Sequence, residues 1–269
     1  MHYDPIKRSL GKVFNKTPFL RKLFYRLLDL LLLRSWHVHK SLRKWSLGRK
    51  GDQVNLLDAG SGFGQYSYYL GKMSRYWQLT AVDVKEEQVE DCKHFFSQIG
   101  LDNVHFEVAD LTKFRQKEKF DLILSVDVME HIEDDKAVFL NFYESLKAGG
   151  LLLISTPSDQ GGSDVHEHDE GSFIEEHVRD GYPATEIEEK LKSAGFKDVK
   201  VRYSYGKPGQ ISWRLAMKYP MLLLNFSKIF FILLPFYYLI TYPFSYVLNW
   251  VDVSKKQAVG TGLIVEARK

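Results

Sequence analysis

Leu56-Leu57-Asp58-Ala59-Gly60-Ser61-Gly62-Phe63-Gly64-Gln65-Tyr66 is the stretch whose reading decides the fold. It reads as a buried strand ending in an acid, then a glycine-rich turn, then the first residues of a helix. Glycine has no Cβ, so such a turn lets backbone N–H groups come close to a ligand, as nucleotide-type cofactor sites require. A dinucleotide fingerprint would place its third glycine where Gln65 stands. Here the glycines fall at 60, 62 and 64, with Asp58 two positions before the first.

Outward from this turn, short apolar runs alternate with helical stretches, the pattern of a parallel sheet wrapped by helices. Strands are predicted over 54–59, 78–83, 104–109, 120–126 and 151–155, and helices over 66–74, 86–99 and 134–147, the last stopped at Gly149-Gly150. Thr185 with Glu188 makes a capping-box start for a further helix ending at Gly195. Two late strands follow over 199–205 and 261–267, and no internal repeat is visible.

The chain has 269 residues, 45% of them apolar and 26% charged, which fits a folded α/β domain with additions and argues against wholesale disorder. Cys92 is the only cysteine, so no intrachain disulfide forms and a reducing, cytoplasmic setting is the simpler expectation. The net charge of +3 hides an asymmetry, because residues 1–50 carry 13 Lys/Arg against 2 acids. A basic arm on an acidic body implies an anionic partner, nucleic acid or phospholipid.

Within that arm, Leu20, Leu23, Phe24, Leu27, Leu28 and Leu31 follow helical spacing, while Arg21, Lys22 and Arg26 fall on another side. The long basic lead and the lack of a small-residue cleavage site argue against a signal peptide. Arg26, Asp29 and Arg34 interrupt any membrane span. The arm therefore either caps the fold or lies on a membrane surface.

Four further features stand in order along the chain: Asp83 with Val84 after the second strand, Asp110 with Leu111 after the third, Val126-Asp127 ending the fourth, and Glu130-His131 just beyond. Together with the glycine turn, they resemble the class I S-adenosylmethionine (SAM) methyltransferases, and the Glu-His turn is similar to that of the type 11-like methyltransferases of ubiquinone and menaquinone synthesis. The resemblance runs from about residue 50 to the end. It implies a Rossmann-like α/β fold, a seven-stranded sheet with helices on both faces and the last strand inserted antiparallel between the fifth and sixth. S-adenosyl-L-methionine is the implied cofactor. On this pattern Asp58, Gly60, Ser61, Gly62, Gly64 and Tyr66 would line its methionine part. Asp83 and Val84 would face the ribose, Asp110 and Leu111 the adenine, and Val126 and Asp127 the wall nearest the sulfonium. A carboxylate suits the ribose because it accepts from both hydroxyls.

The chain then divides into a helical arm (1–50), a cofactor-binding core (51–205), an apolar insertion (206–259) and the last core strand (260–269). In the resembling family the link before the last strand is a short hairpin. Here its centre is aromatic and apolar, and 229–250 has no charged residue. If its flanking strands share a sheet, the insertion cannot cross a bilayer once, and it is too short to cross twice. Pro220, Pro235 and Pro243 are expected to break it into short helices. A lid, a membrane-dipping hairpin and an auxiliary core are the readings left.

His131 is a candidate general base, since imidazole suits proton transfer near neutral pH. It serves equally well as a residue that shapes the pocket. His166, His168 and His177 lie with Arg179 in the polar 158–181 segment, which Tyr182 follows, on the expected acceptor side. The catalytic candidates are His131, His166 and His177. Asp127-x-x-Glu130-His131 with the distant histidines also resembles a divalent-metal pattern of some small-RNA and quinone methyltransferases; Asp127 is shorter than the Glu usual there, and no metal is expected. The surroundings favour a small lipophilic acceptor, methylated on oxygen, at an anionic membrane surface on the cytoplasmic side. The alternatives are a nucleic-acid methyltransferase and a non-catalytic SAM-binding module. No nucleic acid is expected, because the body is acidic, the arm leucine-rich and the base-methylation motif absent after strand four.

Overall fold

The computed structural model describes residues 17–161, 178–227 and 229–269. Two helices come first, α1 (Pro18–Leu31) and α2 (Leu33–Ser46), separated by an extended Leu32 (φ −89°, ψ 111°). The sheet region follows with β1 (Val54–Ala59), α3 (Gln65–Gly71), β2 (Trp77–Asp83), α4 (Glu86–Gln98), β3 (Val104–Val108) and β4 (Phe120–Val126). A single 3₁₀ turn at Met129–His131 leads to α5 (Asp135–Ser145), β5 (Leu146–Pro157), α6 (Ala184–Ser193) and β6 (Asp198–Ser204). Then come α7 (Lys207–Trp213), a π-helical segment (Arg214–Lys218), α8 (Tyr219–Phe226), α9 (Phe230–Ser254) and β7 (Gly262–Arg268).

The seven strands lie in the order β3-β2-β1-β4-β5-β7-β6. Strands β1 to β5 pair in parallel, and β7 runs antiparallel to both β5 and β6. Both faces are covered, which is why the central strands read as unbroken apolar runs. Leu56, Leu122 and Leu124 point to one buried layer, Leu57 and Ile123 to the other, as the two-residue strand period dictates.

The arm is part of that core. Tyr25, Val38, Leu42 and Trp45 belong to the buried cluster that holds Leu56, Leu79 and Leu122. Each such side chain contributes roughly 2 kcal/mol by leaving water. The sequence expectation for the faces of α1 holds in part: Leu20, Phe24, Leu28 and Leu31 are half-buried and Arg26 is exposed, but Arg21, Leu23 and Leu27 depart from it. Arg21 is only 3% exposed, while Phe19, Leu23, Leu27 and Leu30 form an exposed stripe.

Three local expectations are corrected. Helix α5 ends at Ser145, and β5 already begins at Leu146, so the Gly149-Gly150 pair lies inside a strand. The register slips between Phe120 and Leu122 there, and Gly149 (φ +75°) and Gly150 pair with the backbone of Lys269. Thr185 does not cap α6, which starts at Ala184 with Pro183 as its N-cap and no side-chain cap bond. Tyr182, anchored by its N–H on the Pro157 carbonyl, sets that earlier start.

The third correction concerns the insertion. Pro235 and Pro243 lie inside one continuous 25-residue helix, α9. Both rings sit on exposed positions, so each removes a backbone bond without meeting a packed neighbour. Pro220 stands in the first turn of α8, where its missing N–H is harmless. The insertion is a helical hairpin. α7, the π segment and α8 lead away from the sheet and α9 returns, tied by Tyr237 and Tyr238 hydroxyls donating to the carbonyls of Leu215 and Ala216. Ser204 pairs with Gly262, so both ends of the hairpin leave from the same edge of the sheet.

Candidate active site

The glycine turn sits at the C-terminal ends of β1 and β2, where open α/β sheets bind ligands. The Gly60 and Ser61 N–H groups both donate to the Val82 carbonyl, at 2.9 Å. Gly60 adopts φ +85°, and a Cβ there would meet Val128 Cγ2 at 2.2 Å. Gly64 (φ +78°) is pressed against Cys92 and Phe96. Gly62 is different: with φ +49°, its missing Cβ faces nothing nearer than Gln88 Oε1 at 4.0 Å. Beside it the Ser61 hydroxyl is buried without a partner. An open cradle with an orphaned hydroxyl fits a polar cofactor lying on the turn.

Asp83 reaches back over the turn. Its Oδ2 accepts from the Gly62 N–H and its Oδ1 from the Lys85 N–H, both at 2.9 Å. Two carboxylate oxygens carry about four acceptor sites, so lone pairs remain for a ribose diol. Val84 is exposed beside it, and Asp110 is exposed at the end of β3, while Leu111 is buried. Hydrogen bonds from the Thr112 side chain and backbone hold the Asp110 carboxyl below its ordinary pKa. These four residues stand along the half of the edge assigned to the nucleoside.

Asp58 does not face the cleft. Its carboxyl is buried under the turn and accepts from Ser67 Oγ at 2.5 Å, tying β1 to α3. Burial raises its pKa to about 7, against the hydrogen bond from Ser67 and with help from the Asp83 charge. Tyr66 likewise turns away from the glycine turn. Its hydroxyl shares a 3.2 Å hydrogen bond with Ser35 Oγ of α2 and another with the Arg34 side chain.

On the other side of the edge, Val126 is half-buried and Asp127 follows in a left-handed conformation, φ +52°. Its carboxylate is ion-paired with Arg34 of α2. The neighbouring turn sorts its two ionisable residues: Glu130 is 1% exposed, whereas His131 is exposed. The Glu130 carboxylate accepts from Thr156 Oγ1 at 3.1 Å. Burial raises its pKa, against the pull of its backbone hydrogen bond, His131, Thr156 and Arg34.

Arg179 and Tyr182 brace this turn from behind. Arg179 is ion-paired with Asp135 and donates to the carbonyls of Ile132 and Glu133. The Tyr182 hydroxyl donates to Asp135 at 2.7 Å. Burial works to raise the Asp135 pKa, but the bonds from Lys190 and Tyr182 and the Arg179 charge outweigh it, and the carboxyl stays below its ordinary value. His166, His168 and His177 lie outside the described residues. Among the described residues, no three His, Cys, Asp or Glu side chains converge on a metal-holding group.

Sequence reasoning missed the arm's part in this site. Arg21 Nη2 donates to the Phe63 carbonyl at 3.0 Å and to Cys92 Sγ at 3.1 Å, and Nη1 donates to the Asp91 carbonyl. The Tyr25 hydroxyl donates to the same Phe63 carbonyl. Helix α1 thus grips the glycine turn from outside. The one available signal was Arg21 and Tyr25 at i, i+4 beside a leucine face, which reads equally as a solvated stripe. Burial pushes the Cys92 thiol up to about 12, so it packs as an inert side chain.

Comparison with known proteins agrees with this geometry. A methyltransferase-domain family model matches residues 50–202. Phosphoethanolamine N-methyltransferase 1 of Arabidopsis thaliana is 32% identical over 146 residues, 54% of this chain and 29% of that enzyme. The ubiquinone biosynthesis O-methyltransferase of Paramagnetospirillum magneticum is 32% identical over 114 residues, 42% of this chain and 45% of that enzyme. The match thus spans less than half the length of either relative. Among solved structures, phosphoethanolamine N-methyltransferase 2 of Haemonchus contortus, in complex with S-adenosyl-L-methionine, superposes with a TM-score of 0.58. It is 20% identical, over 85% of this chain and 52% of that one, and so it shares the fold. By the family model this chain belongs to the methyltransferase-domain family, and its sheet has the class I SAM-dependent methyltransferase fold.

Proposed function

We propose that this protein transfers the methyl group of S-adenosylmethionine to a hydroxyl of a small acceptor with an apolar body, which it takes up at an anionic membrane surface. The observation that carries the acceptor reading is the state of α9. Over roughly 37 Å of helix, only Ser245, Asn249 and Asp252 are buried. Its outer face presents Phe231, Ile232, Phe236, Leu239, Ile240 and Phe244 to solvent, Leu239 at 76% exposure. An unpartnered apolar surface of that extent marks a place of association. Length and composition would let α9 cross a membrane. Its flanks return to neighbouring strands, so a hairpin lying in one interface fits the chain better.

The cofactor supplies an electrophilic methyl group on a sulfonium. The chain's own work is to orient, to exclude water and to receive a proton. The glycine turn would hold the methionine part of the cofactor and Asp83 its ribose. His131, exposed at the mouth of the β4 turn, is the side chain suited to take the proton of a hydroxyl. The O-methyltransferase among the relatives supports oxygen as the acceptor atom, although the phosphoethanolamine enzymes methylate nitrogen.

Flotation with anionic vesicles tests the membrane part. The wild type should rise with the vesicles, and a Phe236→Asp/Leu239→Asp/Ile240→Asp variant should stay in the soluble fraction. Equal recovery of both at the bottom of the gradient would overturn it. Labelled SAM incubated with a lipid extract tests the acceptor: label should enter a solvent-extractable product, at least tenfold less with His131→Ala.

A further inference from the structure

The family match covers residues 50–202, yet two of the groups at the acceptor side of the cleft lie outside it. Arg34 comes from the first turn of α2, just past the extended Leu32 that separates the arm's two helices. Its backbone N–H donates to the Tyr205 hydroxyl at 3.0 Å. Its guanidinium is ion-paired with Asp127, bonds the Tyr66 hydroxyl, and lies close enough to Glu130 to act on its charge. Tyr205, directly after β6, is held at φ +54°, a conformation that side chains other than Asn and Asp seldom adopt. Such strain persists only where the surroundings impose it. Arginine, two tyrosines and a β4-terminal carboxylate therefore converge from four separate stretches of chain.

One polar atom in this group is unsatisfied. The Arg34 Nε–H is buried and has no hydrogen-bond partner. A guanidinium presents Nε and Nη donors as a planar fork that matches two oxygens of a carboxylate or phosphate. Asp127 occupies an Nη1 donor and leaves the Nε edge to something else. The hydroxyls are poised as donors as well. Burial raises the pKa of both Tyr66 and Tyr205, so each keeps its proton. A cationic cofactor beside Asp127 would share that carboxylate with Arg34.

We propose that Arg34, with the hydroxyls of Tyr66 and Tyr205, binds an oxyanion of the methyl acceptor, a phosphate ester or a carboxylate, and so selects acceptors that carry one. This rests on the reading of the protein as a methyltransferase and is independent of whether the acceptor is lipophilic.

The test uses the full chain saturated with S-adenosylhomocysteine, at fixed ionic strength in chloride. Inorganic phosphate and acetate are then added separately, and thermal unfolding is followed. The wild type should gain a few degrees with one or both anions, and Arg34→Gln should gain none. A response to phosphate alone assigns a phosphate ester, and a response to acetate alone a carboxylate. Methyl transfer from labelled SAM into a lipid extract should fall at least tenfold in Arg34→Gln, with affinity for S-adenosylhomocysteine within threefold of wild type. Should Arg34→Gln fail to fold, Arg34→Lys keeps the charge without the fork and should show a reduced anion response. Equal anion responses in wild type and variant, or no response in the wild type, would overturn the proposal. Failure of vesicle binding would leave it standing, because both probes are soluble.

Discussion

The two halves of the cleft are built differently. The cofactor half is made from one section of the chain, the glycine turn and the ends of β2 and β3 that follow it, with bonds such as Gly62 to Asp83, 21 residues apart. The acceptor half is gathered from distant parts: Arg34 of the arm, Asp127 after β4, Thr156 in β5 and Tyr205 after β6. The local half lies within the matched domain, whereas the assembled half draws Arg34 and Tyr205 from outside it. On the proposed reading, the fold serves the donor while the arm helps to choose the acceptor.

That contrast weakens to the extent that the local half itself leans on the arm, and Arg21→Met measures this directly. The substitution leaves the Phe63 and Asp91 carbonyls without their guanidinium donor. Hydrogen bonds from a charged group contribute about 1.5–3 kcal/mol each, so urea unfolding should show a loss of roughly 4 kcal/mol, the Phe63 carbonyl keeping its bond from Tyr25. A loss below about 1 kcal/mol would mean that the arm merely covers the turn.

Within the glycine turn, the three glycines are not equivalent. Gly60→Ala forces a Cβ into Val128 at φ +85°. Strain and overpacking together should cost roughly 3 kcal/mol, visible as a lower unfolding midpoint. A midpoint unchanged from wild type would show that the turn can shift to admit the methyl group.

Asp58 separates a structural acid from a cofactor-facing one. Its folded pKa of about 7 lies above the ordinary value of 3.8, so the folded state holds the proton more tightly. The associated stability is complete below about pH 4 and is lost as the pH rises through about 7. Asp58→Asn does not titrate, so its stability relative to wild type should improve by about 2–3 kcal/mol between pH 5 and pH 8. Parallel behaviour of the two proteins across that range would place the carboxyl in contact with solvent or cofactor.

The smallest structural effect belongs to Gly62→Ala. Its Cβ has open space around it, and φ +49° costs roughly 1 kcal/mol. Calorimetry should nevertheless show S-adenosylhomocysteine binding weakened about tenfold, or 1.4 kcal/mol. Unimpaired binding would remove Gly62 from the cofactor cradle.

Much of this was legible beforehand. The order of β1 to β7, the glycine turn, Asp83 and the Glu-His turn followed from periodicity and from motif resemblance. The boundaries that moved did so for tertiary reasons: Gly149-Gly150 was drawn into β5 by pairing with Lys269, and α6 was started early by the anchored Tyr182. Side-chain direction was less legible. Arg21 turned inside while Leu23 and Leu27 stayed outside, because carbonyls of the glycine turn and of α4 gave the guanidinium better partners than water did. His131 and Glu130 were adjacent letters, and only the 3₁₀ turn decided that the carboxyl faces inward.

By itself, then, the sequence determined the strands and the glycine turn, because these rest on hydrophobic period and on glycines within one loop, while the place of the last strand followed from the family resemblance. Only the tertiary structure decided what stands opposite the donor. Arg34 and Tyr205 are 171 residues apart. No local rule of spacing or propensity brings such residues together; the packing of α2 on the sheet edge, through the buried Val38, Leu42 and Trp45, does.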